Sequence, residues 1–280
     1  MRYAVDVPNF GYWADPRRMA EFAAGVEQAG WDGLSLWDHI LGWDGNEVAD
    51  PWVLLAVAAA ATERITLMST VTPVPRRHPW KLAREAVSID LLSAGRLVLG
   101  VGIGYPPEDE FGRFGLPVDD RTRADQLDEG LEVLTGLWTG EPFTHAGDHY
   151  RVGPVTFLPT PLQQPRIPIW VAGMWPARRP FRRAARWDGV APGVFEDGAF
   201  RDIAAADLEA ILALIAEHRS SPDPFEVAVS GSVLSRGAAG RDHAASLAAA
   251  GATWWREGWD PASGMALDTW MERIMEGPPG

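Results

Sequence analysis

The sequence predicts an α/β protein, a (β/α)8 or TIM barrel with a hairpin inserted between the fourth and fifth strands. Three observations carry this expectation. Short β-like runs alternate with longer helical ones, as in a parallel sheet. Eight such strand–helix pairs fit into 280 residues, the usual scale of that barrel. The fourth run, Arg96 to Ile103, is almost wholly apolar, as a strand buried on both faces must be. A doubly wound open sheet is the competing architecture, but it usually stops at about five to seven strands. No linker, repeat or low-complexity stretch divides the chain, so residues 1–280 are expected to form one domain with a frayed Gly277–Gly280 tail.

In order, Arg2 to Pro8 reads as the first strand. Pro16 to Ala29 reads as a helix, with Asp15 as N-cap, Pro16 at the first position and Gly30 at the C-terminal stop. Leu34 to Trp37 is the second strand, and Pro51 to Thr62 the second helix, capped by Asp50. Ile65 to Thr72 is the third strand, rich in residues that favour extended backbone. Pro79 to Ser93 forms the third helix and Arg121 to Thr139 the fourth, with Leu127, Leu131, Leu134 and Trp138 at helical spacing. Gly147-Asp148 then turns a hairpin inside the Pro-rich segment Glu141 to Pro165. The alternation resumes with strands at Ile167–Ala172, Gly189–Ala191, Phe225–Leu234 and Thr253–Arg256. Helices are expected at Pro176–Arg186, Ile203–His218, Arg241–Ala250 and Leu267–Met275.

Composition excludes several function classes. Thirty-eight acidic against twenty-five basic residues give a net charge of −13, so nucleic-acid backbones and anionic membrane surfaces are expected to be repelled. There is no cysteine, which removes disulfides, thiolate catalysis and Cys-ligated metals. The six histidines show no metal-site spacing, and no metal is expected. The start lacks a signal-peptide core, and the longest apolar run, Trp52 to Ala61, is too short to span a bilayer, so a cytoplasmic location is expected. That same run leaves the second helix apolar on all sides. Either its alanines tolerate water or, the reading favoured here, a second subunit covers them in a homodimer.

A barrel of this kind carries its chemistry at the carboxyl ends of the strands. Those positions are Asn9, then Asp38-His39, then Thr70-Val71-Thr72, then Gly102-Ile103-Gly104-Tyr105, then Gly173-Met174-Trp175 and finally Arg256-Glu257. Asp38 and Glu257 are the carboxylates a glycosidase reading would use. The surrounding motifs fit another reading better. Ala29-Gly30-Trp31-Asp32-Gly33, Trp37-Asp38-His39, Thr62-Glu63-Arg64-Ile65, Arg77-His78-Pro79, Asp90-Leu91-Leu92-Ser93-Ala94-Gly95-Arg96 running into Gly100-Val101-Gly102-Ile103-Gly104, and Pro168-Ile169-Trp170-Val171-Ala172-Gly173 occur in an order and spacing that together resemble the bacterial luciferase-like family of flavin and deazaflavin oxidoreductases. The likeness is close up to Asp188-Gly189 and loose beyond.

The resemblance implies a flat redox coenzyme at the mouth, coenzyme F420 or FMN, with the deazaflavin slightly favoured. A small-molecule substrate is implied, with molecular oxygen or a separate cofactor reductase as further partners. A flavin- or deazaflavin-binding barrel without turnover is the alternative. Residues implied to hold the coenzyme are Asn9, Thr70, Val71, Gly102, Gly104, Tyr105, Ala172, Gly173 and Met174. A cis Thr70-Val71 bond is implied behind the ring. Gly102 and Gly104 have no side chain to collide with it, though tight strand–helix packing would equally want glycine there. His39, Trp43 and Asp38 are implied as the catalytic group, His39 because an imidazole can move a proton near neutral pH. Sugar-phosphate deazaflavin enzymes share Asp38-His39 and Trp43 but carry a glutamate where this chain has Tyr105, so their substrate is not carried over. Glu108 and Asp109 are other acids that could reach in, whereas Glu110 is expected to hold the loop. The Arg178, Arg179, Arg182, Arg183 and Arg186 series, and Arg76-Arg77, are candidate phosphate patches.

Overall fold

The computed structural model describes residues 1–42 and 45–279. Trp43 lies outside the described residues. The chain opens with β1 (Arg2–Val7), α1 (Pro16–Gln28), β2 (Gly33–Leu36), α2 (Pro51–Ala61), β3 (Thr66–Pro73), α3 (Pro79–Leu92) and β4 (Leu97–Gly102). After a one-turn α4 (Pro107–Glu110) and the long α5 (Asp120–Trp138), an antiparallel hairpin of β5 (Phe143–Ala146) and β6 (Arg151–Val155) interrupts the alternation. It resumes with β7 (Ile169–Trp175), α6 (Arg179–Ala184), β8 (Gly189–Glu196), β9 (Ala199–Arg201) and α7 (Ala205–Ala216). The last elements are β10 (Glu226–Gly231), α8 (Val233–Arg236), α9 (Ala238–Ala249), β11 (Trp254–Gly258) and α10 (Leu267–Glu276). Parallel pairing runs β1-β2-β3-β4-β7-β8-β10-β11 and returns to β1, which closes an eight-stranded barrel.

Local chemistry explains the element ends. The Asp15 carboxylate accepts the Arg17 N–H and Asp50 accepts those of Trp52 and Val53, so both proline-led helices start on a side-chain cap. Some ends differ from expectation. β7 runs on to Trp175, in register with Val194 of β8, so the following helix begins only at Arg179. β8 extends to Glu196 and folds back through Asp197 and Gly198, both at positive φ, into β9. β10 ends at Gly231, and Leu234 instead lies in the first turn of α8, its N–H held by Glu257.

Ala4, Met68, Val98, Trp170, Ala228 and Trp254 fill the lower barrel interior, while a larger apolar cluster lies between strands and helices. α2 buries Trp52, Leu54, Leu55, Ala58 and Ala59 within the chain, leaving Val53, Ala56, Val57 and Ala60 at least partly exposed at i, i+3, i+4 and i+7. Among the described residues, no helix is long and apolar enough to cross a membrane.

Candidate active site at the carboxyl mouth

Asp38 and His39 follow β2, and their neighbours assign them different work. The Asp38 side chain is fully buried. It bonds Arg76, and Arg77 through Nη2 at 2.8 Å to Oδ2 and 3.0 Å to Oδ1. Both arginines leave β3's end through a single turn, which aims them back at β2. Arg76-Arg77 is therefore not an open phosphate patch, because two buried guanidinium groups are spent on buried carboxylates. Asp38 likewise positions the strand ends and presents no open oxygen to a substrate.

His39 is held by Glu110, the last residue of α4. Nδ1 lies 3.2 Å from Glu110 Oε1, and the same carboxylate accepts the N–H of Ile40 (3.1 Å) and Leu41 (3.3 Å) and pairs with Arg76. Glu110 thus ties down the loop after β2, as its place in the sequence implied. Burial, then the Arg76 charge, lowers the His39 pKa to about 4 against the opposing pull of Asp38. The imidazole is neutral at pH 7. Since a carboxylate only accepts, its hydrogen sits on Nδ1 and Nε2 is the basic nitrogen.

Asn9 is buried and spends its amide on backbone. Nδ2 donates to the carbonyls of His39 (2.8 Å) and Ala49 (2.7 Å), and Oδ1 accepts the His39 N–H at 3.0 Å. It fixes the base of the His39 loop, and its amide is engaged there.

The Thr70–Val71 peptide is cis, and the β3–β4 register shifts between Ser69 and Thr72. Both side chains turn to the barrel interior. Thr70 Oγ1 meets Ser35 and Asp6, and Val71 covers Gly102, where an added Cβ would lie 2.9 Å from Val71 Cγ2 and 3.7 Å from Ala172 Cβ. Gly100 is tighter still, its would-be Cβ falling 2.1 Å from the Ser69 carbonyl oxygen. Gly104, at φ +83°, packs on Phe111 and Pro73. Gly102 is thus buried under Val71 beside Ala172, while Gly100 and Gly104 pack closely on their neighbours.

Tyr105 is exposed and leans on Phe195 and Phe200 across the β8–β9 turn. Met174 is exposed beside Gly193, whereas Gly173 packs under Pro180 and Phe181. Of the arginine series, Arg179, Arg183 and Arg186 converge on Asp128 of α5. Arg178 and Arg182 are exposed and have no carboxylate partner among the described residues. Glu257 points away from the barrel interior, accepting the N–H groups of Val233, Leu234 and Trp255, and burial raises its pKa. With Asp38 fully ion-paired, the two-carboxylate glycosidase arrangement is absent.

Sequence reasoning missed a polar layer beneath the mouth. Asp6 of β1 bonds Ser35 of β2 and Thr70 of β3, accepts Trp37 Nε1 at 3.0 Å and pairs with Arg256 of β11. Its signal was present: an acidic residue set between Val5 and Val7 in the first strand.

The chain is 30% identical over 204 residues to an F420-dependent glucose-6-phosphate dehydrogenase of Nakamurella multipartita, covering 68% of this chain and 59% of that protein. It is 32% identical over 223 residues to a 4-hydroxyprotoasukamycin monooxygenase of Streptomyces nodosus subsp. asukaensis, covering 77% and 57%. It thus spans less than two thirds of either relative's length. The fold is similar to the F420-dependent tetrahydromethanopterin reductase of Methanopyrus kandleri, with TM-score 0.76, 18% identity and coverage of 98% and 96%. Residues 4–277 match one family throughout, and the chain belongs to the luciferase-like monooxygenase family.

Proposed function

We propose that the chain is a cytoplasmic oxidoreductase that uses coenzyme F420 or FMN on a small organic substrate. The observation that carries this reading is a neutral imidazole, His39, held by Glu110 at the end of the strand beside the Val71 bulge. The named activities of the relatives, an F420-dependent dehydrogenase and a monooxygenase, support it.

The residues present fit a flat ring. Val71 rests directly on Gly102 with Ala172 alongside, so this part of the wall carries no bulky or charged group. Arg178 and Arg182 are the cations available for an anionic tail beyond β7. Bound there, F420 supplies hydride chemistry and reduced FMN supplies the electrons that activate oxygen. The chain's own part is orientation and one proton. Neutral His39 accepts at Nε2 the hydroxyl proton of an alcohol whose carbon gives up a hydride, and returns it in the reverse direction. Glu110, accepting from Nδ1, faces the positive charge that forms on the ring. Tyr105, standing where the sugar-phosphate enzymes carry a glutamate, leaves sugar phosphates out of the proposal. The FMN reading adds molecular oxygen and a separate reductase as partners.

We further propose a homodimer, supported by the apolar Val53, Ala56, Val57 and Ala60 stripe on α2. Light scattering of wild type and Val57→Asp tests it, and a monomeric wild type removes it.

Fluorescence titration with F420 and FMN tests the main reading. Saturable binding of one coenzyme names it. Binding of either with no turnover across a panel of alcohols, ketones and oxygen favours a barrel that binds without catalysis. No binding of either removes the proposal.

A further inference from the structure

We infer that Arg256 forms an oxygen-acceptor subsite in the floor of the mouth, taking the carboxylate or carbonyl edge of a planar molecule bound above it. The inference deepens the function proposed above by placing a specificity-determining contact inside that site. Along β11, Trp254 faces the barrel interior, and Trp255 and Glu257 face the surrounding helices. Alternation therefore turns Arg256 inward. Its backbone is in register with Ala4, yet its Nη1 reaches 3.3 Å from Oδ2 of Asp6, two residues further along β1, so the guanidinium leans toward the carboxyl mouth.

Its hydrogen bonding is incomplete. Arg256 is more than nine-tenths buried, Asp6 is its one polar partner among the described residues, and Nε is buried with no acceptor. Asp6 already receives Ser35, Thr70 and Trp37, so charge balance accounts for one long contact and leaves most of a five-donor fork unused. A planar fork with spare N–H groups matches a planar oxygen acceptor. The adjacent Asp6 charge disfavours a dianion such as phosphate. The side toward β10 is open: Ser230, in register with Arg256, is exposed. The acceptor oxygen can come from the substrate or from the coenzyme ring.

Arg256→Gln removes the charge, Arg256→Lys keeps the charge but loses the fork, and Ser230→Val fills the open side while leaving the ion pair intact. Each is titrated with benzoate and its uncharged analogue benzamide by tryptophan fluorescence, without coenzyme, and separately with FMN and F420. The account predicts at least tenfold weaker binding in all three variants in one arm, at unchanged melting temperature for the last two. Loss in the benzoate arm assigns the oxygen to the substrate; loss in the coenzyme arm assigns it to the ring. If Arg256→Gln does not fold, the other two variants decide. Benzoate binding that depends on Arg256 in a chain that binds no coenzyme keeps the subsite and removes the proposed function. Absence of Arg256-dependent binding in every arm overturns the inference.

Discussion

His39 Nδ1 and Glu110 Oε1 stand 3.2 Å apart, joining the loop after β2 to the end of α4. One carboxylate thereby sets the tautomer of the imidazole and the path of the backbone around it, since it also receives the N–H of Ile40 and Leu41. Glu110→Gln keeps the shape but can donate to Nδ1 as well as accept. We expect the 15N shifts of His39 to move from the Nδ1–H form toward a mixture, and kcat to fall at least tenfold with a smaller change in KM. An unaltered tautomer removes Glu110 as the group that sets it.

The depressed pKa of His39 makes stability depend on pH in a defined direction. The unfolded chain takes up this proton near pH 6.5, and the folded chain only near 4. Between these values the unfolded state binds more protons, so stability falls as the pH drops from 6.5 toward 4 and no penalty exists above that window. At pH 5 the loss is about 2 kcal/mol. Urea midpoints at pH 7 and 5 should therefore converge for His39→Gln relative to wild type. Equal pH dependence in both proteins contradicts the depressed value.

The glycines of β4 should separate packing from binding. Gly100→Ala drives a Cβ into the Ser69 carbonyl, a rigid neighbour, and should cost more than about 2 kcal/mol. Gly102→Ala is crowded only by the Val71 side chain, Ala172 Cβ standing at an ordinary 3.7 Å. It should fold, displace Val71 and weaken coenzyme binding, and Val71→Ala in the same chain should restore much of the affinity. Failure of that rescue would place the effect elsewhere than the bulge.

Arg178 and Arg183 look alike in sequence and differ in structure. Arg183 is buried on Asp128 and the Ala124 carbonyl, so Arg183→Ala should destabilise the chain by about 1–3 kcal/mol, Arg179 and Arg186 still pairing with Asp128. Arg178→Ala should leave the melting temperature unchanged and weaken FMN more than riboflavin, which lacks the phosphate. Equal losses for the two ligands would remove Arg178 from the tail.

Most of the barrel was legible because its signals are local. Proline-led helices, an aspartate before each of the first two, and apolar runs of strand length need only neighbouring residues to be read. The family motifs likewise marked the Thr70-Val71 segment and His39. What the sequence hid depends on closure. Asp6 and Arg256 are separated by 250 positions and meet only because β11 returns to β1. The Arg76-Arg77 pair looks like a free basic patch until the strand order sets β3 beside β2 and Asp38 takes both cations. Asn9 looks like a polar group at the open end until the Ala49 carbonyl arrives to accept from it. In each case a residue type was read correctly as polar and its partner lay on a different strand or loop.

The most direct measurement is a crystal structure of this chain with F420 or FMN. The account predicts the ring in the carboxyl mouth against Val71 and Gly102, with His39 on the substrate side and the anionic tail running toward Arg178. A ring bound elsewhere, or a mouth without coenzyme beside saturable binding in solution, would contradict it.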